Sequence, residues 1–294
     1  MATFSELPGR GIITVNGADR VEFLQGLVSN DVAPVANGKP VWAALLTPQG
    51  KYRHDFFVFQ RGGAFLLDCE GGDRLMDLGR ALRRYVLRAD VTLGMIRDET
   101  CFAVWGPGTT NVLGLAEDGV LTSFGGGDAF ADPRLPAMGA RVFGPAATIR
   151  AALIDAGIGE SDKAAWDAHR IALGVPDGAR DMPVEKAILL ENGFEELRGV
   201  DWGKGCYMGQ ELTARTKYRG LIKKRLLPVR IDGPAPDEGT QILTDGKDAG
   251  TLYSVAGDRG LALLRLERFR AGAPLVAGEA VLTAEVPDWA ALPE

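Results

Sequence analysis

The chain has 294 residues, 46% of them hydrophobic and 24% charged, with a net charge of −6. That balance belongs to a globular protein long enough for more than one core. It offers no apolar run of the ~18 residues a membrane span needs, no secretory signal at its start, and no general affinity for nucleic acid. Cys69, Cys101 and Cys206 are three, without C-x-x-C spacing; this argues against a disulfide framework or a self-contained zinc site and places the protein in a reducing cytoplasm.

In chain order, residues 11–15 form a short β-like run ended by Asn16-Gly17, and residues 19–28 set Val21, Leu24 and Val28 at helical spacing. Two β-rich runs, 41–47 and 52–59, flank Pro48-Gln49-Gly50 and predict a hairpin. Gly62-Gly63 turns the chain into a run over 64–68. A helix follows over 73–86, with Leu75, Leu78, Leu82 and Tyr85 on one face, and a strand near Val91 closes an α+β unit.

A looser version of this order comes next. Strands are predicted over 101–105, 120–124, 128–131 and 140–143, and helices over 107–115, 146–156 and 162–173. The irregular segment 177–201 leads into a glycine-rich motif. Beyond Arg225, short β-rich runs at 226–231, 241–244, 250–255, 261–266 and 280–285 alternate with turn clusters and predict a small β-barrel. The expected division is 1–98 for a first α+β unit, 99–220 for a second that carries the cysteine motif, and 221–294 for a C-terminal barrel.

That motif is Lys204-Gly205-Cys206-Tyr207-Met208-Gly209-Gln210-Glu211. Glycines on both sides of the thiol let the backbone adopt φ > 0 and approach a ligand. The pattern from Met208 to Tyr218 predicts a helix, which would set Cys206 near its N-terminus, where the dipole and Lys204 favour a thiolate. Glu211 and Arg215 are spaced for an ion pair on that helix. Between Lys204 and Arg230 stand eight basic residues and one acid, either a solvated face or an anion site.

The octapeptide and its continuation LTARTKYRGLIKKRLLPV resemble the signature of the YgfZ family, above all the branch with the mitochondrial iron–sulfur assembly relatives. The segment Phe23-Leu24-Gln25-Gly26-Leu27-Val28-Ser29-Asn30-Asp31 is similar to that family's LQGL-x-x-ND, and Leu45-Leu46-Thr47-Pro48-Gln49-Gly50-Lys51 and Arg170-Ile171-Ala172-Leu173-Gly174-Val175-Pro176 also fit, so the resemblance covers most of the chain. It implies the fold of the glycine-cleavage aminomethyltransferase, and a tetrahydrofolate site that takes polyglutamylated forms as well. It further implies a role in iron–sulfur cluster assembly or repair, with cluster carriers or client proteins as partners. Enzymes that thiolate tRNA would be among the dependents, so tRNA is touched only indirectly and no membrane is involved.

Carried over residue by residue, the resemblance makes Cys206 the functional thiol with Lys204 beside it. Trp166 becomes a stacking platform for the pterin or benzoyl ring. Asn30 and Asp31 read either as an ordinary helix stop or as polar contacts to the pterin, and Glu191, an acid in the irregular segment, is a candidate acceptor for pterin donors. Tyr207, Gln210 and Arg215 of the motif complete the candidate contacts. A second tryptophan of the family's site would fall near Arg10, where this chain has none. Aminomethyltransferases carry an acidic pair in the strand after the hairpin; here that strand reads Arg53-His54-Asp55. A folate-dependent aminomethyl or C1 transferase is therefore the second reading and a classical enzyme is not expected. An RNA-binding module on the basic stretch is the third, weakened by the lack of aromatic RNA motifs there. His54 and His169 are read as structural, with no metal-ligand spacing.

Overall fold

The computed structural model describes residues 1–117 and 119–293, which divide into two compact units. The first comprises Met1–Leu46, His54–Trp166 and Arg198–Met208; the second comprises Thr47–Arg53, Asp167–Leu197 and Gly209–Glu294. Both are interleaved in sequence.

Two sheets build the first unit. The five-stranded sheet runs in the order Val41–Leu46, Tyr52–Arg61, Ala64–Glu70, Arg10–Asn16, Thr92–Ile96. Helix Gly72–Val86 packs on it through buried Leu78, Ala81 and Leu82, and its last turn carries Arg83 and Arg84, the favourable sign at a helix C-terminus. The six-stranded sheet has the order Gly159–Glu160, Thr3–Leu7, Thr100–Trp105, Ala140–Gly144, Gly127–Ala131, Thr122–Phe124. Its second member is a strand that the sequence pattern did not reveal. Thr3–Leu7 pairs antiparallel with Thr100–Trp105, so the start of the chain is built into the sheet of residues 100–160.

Aromatic rings and a buried charge cluster join the two sheets. Phe59 meets Phe130 and Phe143 at centroid distances of 5.3 and 4.7 Å. Asp68, fully buried, takes hydrogen bonds from Arg10 Nε at 2.8 Å and Arg141 Nη1 at 3.0 Å. Arg141 also donates to the Cys101 thiol and lies over the ring of Phe57. A carboxylate without water is tolerable only with such partners. The position near which the family's second tryptophan would fall is thus an arginine committed to Asp68.

In the second unit, six strands close a barrel in the order Lys224–Asp232, Arg259–Arg265, Lys247–Ala256, Gln241–Thr244, Leu275–Ala277, Ala280–Ala284. Leu227, Val229, Ile242, Ala262, Leu264 and Leu282 fill it. The strand Leu275–Ala277, three residues long, was too short to stand out in the sequence. Arg170 is buried against Asp167, Asp181 and Ser254 at 2.7–2.9 Å. The hairpin turn of this unit explains its glycine: Gly50 has φ +80°, and a Cβ there would sit 2.5 Å from Gly209 O and from Leu212 Cβ.

No described helix is long and apolar enough to cross a membrane.

Candidate functional site

Helix Arg20–Gln25 is short; amides of residues 26–28 cap the carbonyls of Glu22 and Leu24, while the carbonyls of Gln25 and Gly26 take donors from elsewhere. They come from the cysteine motif, some 180 residues later. Lys204 Nζ donates to Gln25 O at 2.9 Å and to Val28 O at 2.5 Å, and the Met208 amide donates to Gly26 O at 3.0 Å. The turn after the helix is tied to the same segment. Ser29 Oγ donates to Gly199 O at 2.6 Å, and the Asp201 amide donates to Ser29 O at 3.1 Å. Asn30 spends its amide group on two carbonyls, Trp42 O and Arg198 O, both at 2.7 Å.

Cys206 stands between these ties. It is exposed, while Cys69 and Cys101 are buried. Gly205 before it has φ +92°, a backbone that only glycine adopts freely. Tyr207 after it is buried, its ring 5.2 Å from the ammonium of Lys204. The Lys204 ammonium is itself half-buried. Burial pulls its pKa down to about 8, although Asp31 and Asp201 favour the charged form. Trp202, four residues ahead of the thiol, is 36% exposed. The sequence reading passed over it, although a tryptophan in a glycine-rich loop beside a candidate nucleophile was the available signal.

Two expectations about the motif need correction. The helix is Gln210–Tyr218 rather than one starting at Met208, because Gly209 has φ +79° and cannot be helical. Cys206 therefore stands four residues ahead of it, and the Lys204 ammonium is turned to backbone carbonyls. Among the described residues Glu211 and Arg215 form no ion pair with each other. Nor is the basic stretch one face. Arg225 is buried, donating to Leu190 O at 2.8 Å and Glu196 at 2.6 Å, and Lys217 pairs with Glu195. Arg215, Arg219, Lys223 and Arg230 remain exposed.

The other candidates divide between the units. In the first, Asp31 accepts from Gln25 Nε2 and the Ala33 amide, both at 2.9 Å. Trp166 is 4% exposed and packs against Trp105 with centroids 5.4 Å apart. His54 Nε2 lies 2.9 Å from Asp77 Oδ2 of helix Gly72–Val86, and Asp55 accepts from Trp42 Nε1 of the neighbouring strand at 2.9 Å, so each is held by a partner within the unit. In the second unit, Glu191 lies in the turn Leu189–Asn192; burial raises its carboxyl pKa, with the lysines at 51 and 224 and the amides of 223 and 224 opposing. Gln210 opens the helix that carries Arg215. Among the described residues no group of three or more His, Cys, Asp or Glu is placed to hold a metal ion.

An exposed thiol on a loop fixed at several points can act as a nucleophile or a soft metal ligand. One thiol cannot hold an iron–sulfur cluster unaided, since such clusters take four protein ligands.

Residues 223–292 match the family model described as the CAF17 C-terminal β-barrel domain. The mitochondrial iron–sulfur cluster assembly factor IBA57 of Homo sapiens is 34% identical over 312 aligned positions, spanning 96% of this chain and 84% of the human protein. The chain belongs to the IBA57 family. The Mus musculus protein of the same name is 32% identical across 98% of this chain and 85% of its own length. The crystal structure of glycine cleavage system aminomethyltransferase T from Bartonella henselae superposes with a TM-score of 0.74 at 16% identity, covering 96% of this IBA57-family chain and 84% of the enzyme. The expected aminomethyltransferase-like fold, α+β sheets followed by a closed six-stranded barrel, is therefore the fold of the molecule. The expected cytoplasmic location is overturned: the relatives named here are mitochondrial. Unpaired thiols report a reducing compartment, and more than one compartment is reducing.

Proposed function

We propose that this protein is an iron–sulfur cluster assembly or repair factor that presents the Cys206 thiol to a cluster carrier or client protein. The observation that carries this reading is the fixed loop: the exposed thiol is flanked by Lys204 and Met208, each hydrogen-bonded to the end of helix Arg20–Gln25. The names of its IBA57 relatives supply the process. The external partner follows from the single thiol, because the remaining ligands must come from another protein. Trp202 beside it is the residue type on which protein contacts concentrate their energy. Enzymes that thiolate tRNA belong among the dependents in this reading, as users of clusters.

Tetrahydrofolate is the small molecule that the reading includes. The second unit fits it best. Burial leaves Glu191 a carboxyl that gains from further N–H donors, such as a pterin edge supplies, and exposed Arg215 offers a cation to a glutamate tail. Asn30 fits less well, with its amide hydrogens already committed. Trp166 offers only what Trp105 leaves uncovered. Aminomethyl transfer is not favoured, since His54 and Asp55 are held by Asp77 and Trp42.

Complementation of a strain lacking its own family member, scored by a cluster-dependent enzyme, tests the thiol. Cys206→Ser should fold, keep its folate affinity and fail to rescue; full rescue would reduce Cys206 to packing. Titration with tetrahydrofolate, followed by tryptophan fluorescence, tests the ligand separately. Saturable binding should weaken with added salt for polyglutamylated forms. No binding at millimolar folate would remove the ligand and leave the thiol's role standing.

A further inference from the structure

Helix Gly72–Val86 leaves part of its sheet uncovered. The sheet's last member, Thr92–Ile96, is an edge strand, paired among the described residues only with Arg10–Asn16. Between helix and edge strand runs a groove of about 210 Å³. Its floor is Ile13, and its apolar walls are Leu75 and Met76 from the helix, Leu93 and Met95 from the strand. Both methionines are substantially exposed, 46% and 39%, and methionine adapts to apolar ligands of varied shape.

Gly79 keeps the groove open. It lies in the middle of the helix with ordinary helical backbone, and a Cβ there would meet only Ile13 Cδ1, at 3.8 Å, an ordinary contact. Neither conformation nor crowding calls for glycine, although glycine disfavours a helix interior relative to alanine. What the missing side chain leaves is space. Beside Gly79 stands Arg80 and one turn further on Arg83; both line the same groove and are exposed, and among the described residues no carboxylate lines it with them. Arg80 stands 4.0 Å from Asp77, and Arg83 has no acidic partner among the described residues. The helix thus sets apolar walls in its first half and guanidinium groups in its second.

We propose that this groove binds a single-chain aliphatic amphiphile with an anionic head, its chain over Ile13 and Gly79 and its head on Arg80 and Arg83. A volume of about 210 Å³ suits one slim chain, below the roughly 300–1,000 Å³ of pockets for drug-sized ligands. The paired cations decide for a negative head, carboxylate or phosphate.

The test uses the full-length protein with labelled methionine methyl groups. Decanoate and decyl phosphate, below their micelle-forming concentrations, should shift the Met76 and Met95 methyl signals saturably, and the tighter of the two assigns the head. Decyltrimethylammonium should bind at least about tenfold more weakly. Gly79→Leu should weaken decanoate at least about tenfold while the helix gains propensity, so misfolding is not the cause. Arg80→Gln with Arg83→Gln, both on the surface, should erase the preference for the anionic head and leave the fold untouched. Absence of saturable shifts, equal binding of the cationic probe, or undiminished binding by Gly79→Leu would overturn the proposal.

Discussion

The three thiols of the first unit are held in opposite ways. Cys69 and Cys101 lie in strands, buried, and burial pushes both pKa values up to about 12, with Arg10 and Arg141 pulling the other way. Cys206 lies in a loop with no strand on either side, exposed, yet its backbone neighbours are tied down. Fixing a thiol and hiding it are thus separate achievements. Strand thiols are immobile because they are packed, whereas the loop thiol is positioned by donors aimed at carbonyls, which leaves its sulfur free for a partner.

The widest gap should appear in alkylation. At pH 7.5 a thiol of pKa about 12 is ionised in only about one molecule in 30,000. Iodoacetamide should therefore label Cys206 in the native protein at least about a thousandfold faster than Cys69 or Cys101. Mass spectrometry of timed samples reads this directly, and comparable labelling of all three in folded protein would break the contrast.

The next effect concerns what keeps the strand thiols hidden. Arg141→Leu leaves Asp68 buried with one partner fewer and removes the cation beside Cys101. A loss of about 3–5 kcal/mol is expected from breaking such a buried pair, seen as a lower urea midpoint. A variant as stable as the parent would show that aromatic packing alone closes the two sheets.

The smallest effect sharpens the loop side. Lys204 has a pKa near 8 in the folded chain and about 10.4 when unfolded. Between these values the unfolded chain binds the proton more tightly, so stability should rise with pH from about 8 to about 10.4; below that window the cost of burying the ammonium is present in full and does not change with pH. Lys204→Met should lose this rise. It should also speed amide exchange at residues 206–208 by about tenfold. Denaturation of both proteins at pH 7 and 9.5 checks the first statement, and identical slopes would mean that the ammonium is not held as described.

Local patterns were readable where local packing decides. The stripe of Leu75, Leu78 and Leu82 announced helix Gly72–Val86, and turn clusters announced most of the barrel. Thr3–Leu7 was missed because five residues followed by Pro8-Gly9 carry no alternation of their own; a partner about a hundred residues away makes them a strand. At the site, the motif singled out Cys206 and Lys204. Its sequence could not say that Lys204 faces carbonyls of residues 25 and 28, or that Asn30 reaches Arg198, because such contacts exist only in the folded chain. The basic stretch misled for the same reason. Charge counts along the chain do not reveal that Arg225 goes inside.

The ties between Lys204 and the end of helix Arg20–Gln25 span 176 and 179 positions of sequence. Contacts of such separation close late, because the loop entropy must be met before they form. During synthesis, residues 25–28 wait for their donors until residues 204–208 have left the ribosome, and a chain stalled before that point never acquires them. Cys206 is therefore presented on its fixed loop only once residues 25–28 have met residues 204–208, so that a partner testing for this thiol also tests whether those distant segments have folded together.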